Sequence, residues 1–169
     1  SAASDVYKRQ LQAQIKWPND VVLNGKKLVG ILTEMSAQMN YIEYLVTGIG
    51  INANLREFPE ELEDKATSLQ KEIGHKVNRS ALIAECMEKI EENYEIFVKT
   101  QDLSGLMAAY QEALVNQDQQ VRVLEPGHEY TGVARGINAM GELLVEKEDG
   151  TITEVYAGEV SVRGLYGYV

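Results

Sequence analysis

KWPNDVVLNGKKLVGILTE, residues 16–34, decides how the first third of the chain folds. Pro18 cannot donate a ladder hydrogen bond in a central strand, so 13–23 reads as two short strands with a bend at Pro18, Asn19 and Asp20. Asn24 and Gly25 both tolerate the positive φ of a tight type I′ turn, which predicts a hairpin, and KKLVGILTEM resumes as an apolar strand. A second return is predicted at 38–40. YIEYLVTGIGIN, residues 41–52, then reads as a largely buried strand ending in glycines. Residues 12–52 therefore form a sheet of consecutive neighbours.

Downstream, 54–74 reads as a polar, acidic loop. Leu82, Ile83, Cys86, Met87, Ile90, Tyr94 and Phe97 recur mostly at spacings of three and four, which is the pattern of an amphipathic helix. Asn78 or Ser80 is placed to cap it. A shorter helix follows with Leu106, Met107, Tyr110 and Leu114 on one face and Asp102 or Ser104 as cap. From Gln120 the pattern changes to strands of four to seven residues broken by turns at Pro126-Gly127, 138–141 and Asp149-Gly150, which fits a small antiparallel barrel. The division falls near the polar stretch 116–119. Residues 1–10 show no period and read as a disordered lead or a foreign junction.

Composition bounds the function. The 169 residues are 44% apolar, enough for a packed core, and no apolar run approaches the roughly 20 residues a membrane span needs. Residues 1–10 lack the apolar stretch of a signal peptide, and the single cysteine, Cys86, reads as a buried small hydrophobe; both fit a reducing cytoplasm. With 26 acidic and 16 basic side chains the net charge is −10, which repels nucleic acid, and Lys8-Arg9 and Lys26-Lys27 are the only adjacent basic pairs. His75 and His128 have no ligand-like spacing to Cys or acidic residues, so no metal site is expected.

The stretch 16–34, TGIGINAN from Thr47 and AGEVSVRG from Ala157, in this order and spacing, resemble the biotin protein ligase family. The resemblance runs from about residue 12 to residue 163. It implies an α+β fold: a mixed or antiparallel sheet with packed helices over 11–118, of the class II aminoacyl-tRNA synthetase-like type, and an SH3-like β-barrel over 119–169. It also implies a two-step acyl transfer. Biotin's carboxylate attacks the α-phosphate of ATP, which carries Mg2+, and a lysine of a biotin carboxyl carrier protein then attacks the mixed anhydride. Charge on the α-phosphate must be stabilised and water kept from the adenylate.

By the same resemblance Lys27 lies beside the biotin carboxylate and α-phosphate and Asp20 near the incoming carrier lysine, as the two catalytic candidates. Gly30, Leu32, Gly48 and Gly50 join Lys27 as biotin-pocket residues, and Asn52 and Asn19 belong to the nucleotide side. Arg135, Glu159 and Arg163 match the signature of the C-terminal barrel. Read without it, Lys27 is a solvated turn lysine, Asn19 and Asp20 tighten the turn after Pro18, and the glycines serve a tightly packed or bulged sheet, a role compatible with a pocket. Arg135 and Arg163 then read as surface ion-pair residues.

Family members carry, upstream of the KWPND strand, a Gly- and Arg-rich loop that closes over biotin and the triphosphate, and residues 1–10 do not reproduce it. The expectation is a truncated product that is inactive alone. A homodimer is expected through the exposed edge of the 27–51 hairpins. The alternatives are a non-catalytic protein-binding module with an SH3-like barrel, which has no reason to contain these motifs in this order, and a lipoyl-type ligase, which 16–32 matches less well.

Overall fold

The structure, a computed structural model, describes residues 11–125, 127–157 and 161–164. Strands β1 (Gln14–Lys16), β2 (Asp20–Leu23), β3 (Lys26–Gln38) and β4 (Tyr41–Ile51) form an antiparallel sheet in chain order. Asn24 and Gly25 take φ of 51° and 75°, as the hairpin signal requires. Residues 39 and 40 make the second return. A β-bulge interrupts the β2–β3 ladder: Val21 lies opposite Val29, but Val22 lies opposite Lys27, so β3 carries one extra residue, Leu28.

Helices α1 (Leu69–Ile73), α2 (Arg79–Thr100) and α3 (Met107–Ala113) follow. A second antiparallel sheet contains β5 (Gln120–Leu124), β6 (Tyr130–Ile137), β7 (Leu143–Glu146), β8 (Ile152–Val155) and β9 (Ser161–Gly164), in the order β8-β7-β6-β5-β9. Its strands alternate as a one-sided sheet should, with Val121 and Val123 buried and Arg122 exposed between them. Asn138 closes the β6–β7 turn by accepting from the N–H groups of Met140 and Glu142. The fold is α+β, with mixed helices and antiparallel sheets.

Among the described residues, two apolar cores hold the chain. One joins Leu23, Leu28, Ala53, Leu69, Ile73 and Val77; the other lies on the C-terminal sheet and draws in Trp17 and Leu114 from outside it. Each fully buried aliphatic side chain contributes on the order of 1.5–3 kcal/mol.

Several expectations need correction. Strand β4 is exposed along nearly its whole length, with Tyr41, Ile42, Tyr44, Leu45 and Val46 all more than half accessible; residues 32–38 of β3 are largely exposed too, so the outer part of this hairpin is covered on neither face among the described residues. The α2 stripe also faces outward: Ile83, Met87 and Tyr94 are exposed, no residue of the helix is buried, and Cys86 is only half-buried. Asn78 does cap α2, accepting from Ser80 and Ala81. Asp102 does not cap α3; it accepts from the Ser104 N–H one turn earlier, and the N-cap is Leu106. The supposed loop 54–74 contains α1, capped by Ser68 and ended by Gly74 at φ 84°. Five residues are too short to show a helical period.

Candidate functional site

The bulge at Leu28 builds the site. Without an extra residue, Lys27 and Gly30 would point to opposite faces of β3, since their separation is odd. The bulge restores them to one face, beside Asp20, whose Cα partner across the ladder is Gly30. Lys27 Nζ lies 2.6 Å from Asp20 Oδ1, with the aspartate side chain 11% and the lysine 41% exposed. A carboxylate that buried requires a counter-charge. Lys16, the Cα partner of Asp20 on β1, supplies more positive charge nearby. Burial pushes the Lys16 ammonium below the usual lysine range; Asp20 opposes this, while Arg163 and Lys27 add to it.

Asn19 is held on β3 twice: Nδ2 donates to the Ile31 carbonyl at 2.6 Å, and its own carbonyl accepts from the Ile31 N–H at 2.9 Å. Gly30 sits opposite Gly50 and Leu32 opposite Gly48, so the four line one face. A Cβ on Gly30 would stand 2.9 Å from Lys27 Cε and 3.1 Å from Nζ, so this glycine makes room for the lysine head. A Cβ on Gly48 or Gly50 would meet only a backbone oxygen, at 3.8 and 3.7 Å. Among the described residues, packing therefore does not require those two glycines, whereas Gly30 lies in tight contact beside the bulge.

Two clefts meet here. A shallow one of about 570 Å3 is lined by Asn19, Lys27, Gly30, Ile31, Leu32, Gly48, Ile49 and Gly50. A deeper, mainly apolar one of about 670 Å3 is lined by Lys27, Gly30, Gly50 and Asn52 together with Leu55, Phe58, Pro59, Leu62, Lys65 and Ala66. The 55–66 wall was missed in the sequence, although Leu55, Phe58 and Leu62 at spacings of three and four in an acidic stretch were a usable signal. Backbone bonds fasten that wall to β3: the Lys27 N–H donates to Lys65 O at 2.8 Å, and the Thr67 N–H to Lys27 O at 2.9 Å. Asn52 is fixed by its N–H to Leu28 O and its carbonyl to the Leu69 N–H.

The barrel-signature residues lie elsewhere. Arg135 bridges Asp118 and Glu146, each at 2.7 Å, and its guanidinium holds the Asp118 carboxyl below the usual range. Arg163 is exposed on β9 and acts on the site through its charge at Lys16. Glu159 lies outside the described residues. Among the described residues no group of three or more His, Cys, Asp or Glu is placed to hold a metal, and no helix is long and apolar enough to cross a membrane.

Lys27, next to the bulged Leu28, thus lies at the junction of two clefts, on an α+β frame with a separate small sheet. Residues 3–52 match the Biotin/lipoate A/B protein ligase family, and residues 118–163 match the Biotin protein ligase C terminal domain. The chain is 30% identical to the biotin protein ligase of Aquifex aeolicus in its apo structure, with a TM-score of 0.81, covering 96% of this chain and 71% of that one. The Aquifex aeolicus enzyme in complex with biotin and ATP gives 30% identity and 0.80, over 96% and 67%. The chain belongs to the biotin protein ligase family. It is also 34% identical to the bifunctional ligase/repressor BirA of Bacillus subtilis (strain 168), over 90% of this chain and 47% of the relative. With the corresponding protein of Escherichia coli (strain K12) the identity is 29%, over 90% and 47%. The chain thus spans about half the length of the curated relatives it matches.

Proposed function

We propose that this chain supplies the reaction centre of a ligase that activates biotin with ATP and passes it to a lysine of a biotin carboxyl carrier protein. One observation carries the reading: Lys27, Gly30 and Gly50 line both clefts, so a single ammonium stands where two bound substrates would meet. Joining a carboxylate to a phosphate brings two anions together, and a fixed cation between them is what that step needs.

In this reading the shallow cleft takes biotin, whose flat bicycle approaches the backbone at Gly48 and Gly50. The deeper cleft takes the nucleoside, with Asn52 and the apolar 55–66 wall around the base and Asn19 at the boundary. A biotin carboxylate oxygen attacks the α-phosphorus; the new C–O–P linkage forms as the bond to the β-phosphate oxygen breaks and pyrophosphate leaves. The amine of the carrier lysine then attacks the acyl carbon, forming the amide as AMP leaves, and Asp20 is positioned to accept the amine's proton. Mg2+ arrives with the triphosphate. Arg135, Glu159 and Arg163 belong to the C-terminal unit, residues 119–169, which supports carrier docking in this reading, and the exposed β4 edge offers a surface for a second copy. The work is expected to take place in the cytoplasm.

The test is biotin-dependent exchange of labelled pyrophosphate into ATP by a full-length ligase containing this segment, with lipoate as the competing acid. Exchange with biotin and none with lipoate supports the reading. Exchange with lipoate alone makes the chain a lipoyl-type ligase, and exchange with neither favours a non-catalytic binding module.

A further inference from the structure

We propose that Trp17 is a positioning residue, the peg by which the C-terminal sheet holds the 18–20 turn and so aims the Asp20 carboxylate. Trp17 lies between β1 and β2 in sequence, yet it is 2% exposed in the other core, packed with Val121, Val123, Ile137, Leu143 and Val145. Its indole N–H donates to the carbonyl of Gly141, 124 residues away in the β6–β7 turn, at 3.0 Å. That turn is itself closed by Asn138, so the acceptor is fixed. A buried indole needs such a partner, and few side chains bring both this much apolar area and a directional donor.

Two residues on, Asn19 is clamped to Ile31 of β3 by its side chain and its carbonyl. The turn is therefore tied at one end to the C-terminal sheet and at the other to the sheet that carries Lys27. Asp20 follows directly, 2.6 Å from Lys27. Freed at the Trp17 end, the turn gains slack, and a misplacement of about 1 Å in a reacting geometry costs on the order of 100-fold in rate.

The rate arm of the test rests on the ligase reading; the structural arm does not. Hydrogen exchange at the Ile31 amide, bonded to Asn19 O, reports the turn directly in this 169-residue chain. Trp17→Leu and Trp17→Phe are compared with Val145→Ala, which damages the same core without touching the turn. After correction for global stability, Trp17→Leu should speed Ile31 exchange about 10-fold and Trp17→Phe, which keeps a ring but loses the donor, by less. Val145→Ala should leave it unchanged. In a full-length ligase, the Trp17 variants should lower kcat for transfer to the carrier with little change in KM for biotin or ATP, and Trp17→Phe should recover part of the loss. If Trp17→Leu does not fold, the Trp17→Phe comparison decides alone. Trp17 variants that match Val145→Ala at equal folded fraction, in exchange or in kcat, overturn the proposal. A full-length parent without biotin-dependent exchange refutes the ligase reading, and the Ile31 amide still decides the role of Trp17.

Discussion

Lys27→Ala separates a catalytic from a structural lysine. The substitution strands the Asp20 carboxylate, whose side chain is only 11% exposed, but the lysine it removes is 41% exposed and Lys16 still faces the aspartate. A hydrogen bond to a charged group contributes about 1.5–3 kcal/mol, and solvent screening at a partly exposed ammonium reduces it, so the expected loss of stability is about 1 kcal/mol. The effect on adenylation should be larger. Removing one preorganised electrostatic contact from a developing oxyanion typically raises the barrier by about 2.7–4 kcal/mol, or 100- to 1,000-fold in rate. The assay is pyrophosphate release at saturating biotin and ATP by a full-length ligase containing this segment, alongside urea unfolding. Near wild-type release, or a rate loss no larger than the loss of folded protein, would refute the assignment of Lys27 to the reaction centre.

Gly30→Ala should displace the Lys27 head, lowering adenylation with little effect on the melting temperature, because the atoms it meets end a flexible side chain. Gly48→Ala should leave folding unchanged or raise stability by about 0.5 kcal/mol, yet weaken biotin binding measured by calorimetry; unchanged affinity would remove biotin from that wall. Burial pushes the Tyr110 hydroxyl up to about 12 from 10.0, so the folded state keeps a proton that the unfolded chain releases. Its contribution is complete below pH 10 and lost as pH rises toward 12; denaturation midpoints should fall over that window, and Tyr110→Phe should flatten the fall. Limited proteolysis should cut within residues 56–65, which are largely exposed, and spare 66–70, which are buried; early cuts at 66–70 would contradict the packing of α1.

Local chemistry made much of the fold legible before any tertiary structure. Asn24-Gly25 can hardly be anything but a tight turn, Pro18 had to interrupt a strand, and the caps and glycines at Asn78, 138–141 and Asp149-Gly150 act within a few residues of themselves. The order of the motifs likewise carried the family. Burial was not legible, because an apolar stripe says which face wants a partner and not whether one is present: β4 and α2 have the patterns of buried elements and are exposed. Nor was the grouping of the site. Alternation along β3 puts Lys27 and Gly30 on opposite faces, and only the one-residue bulge in its pairing with β2 turns the ammonium to Asp20 and the glycines. The wall at 55–66 and the seat of Trp17 depend on contacts with residues far away in sequence. Such contacts belong to the whole chain's search for a packed core, and no window of neighbouring residues contains them.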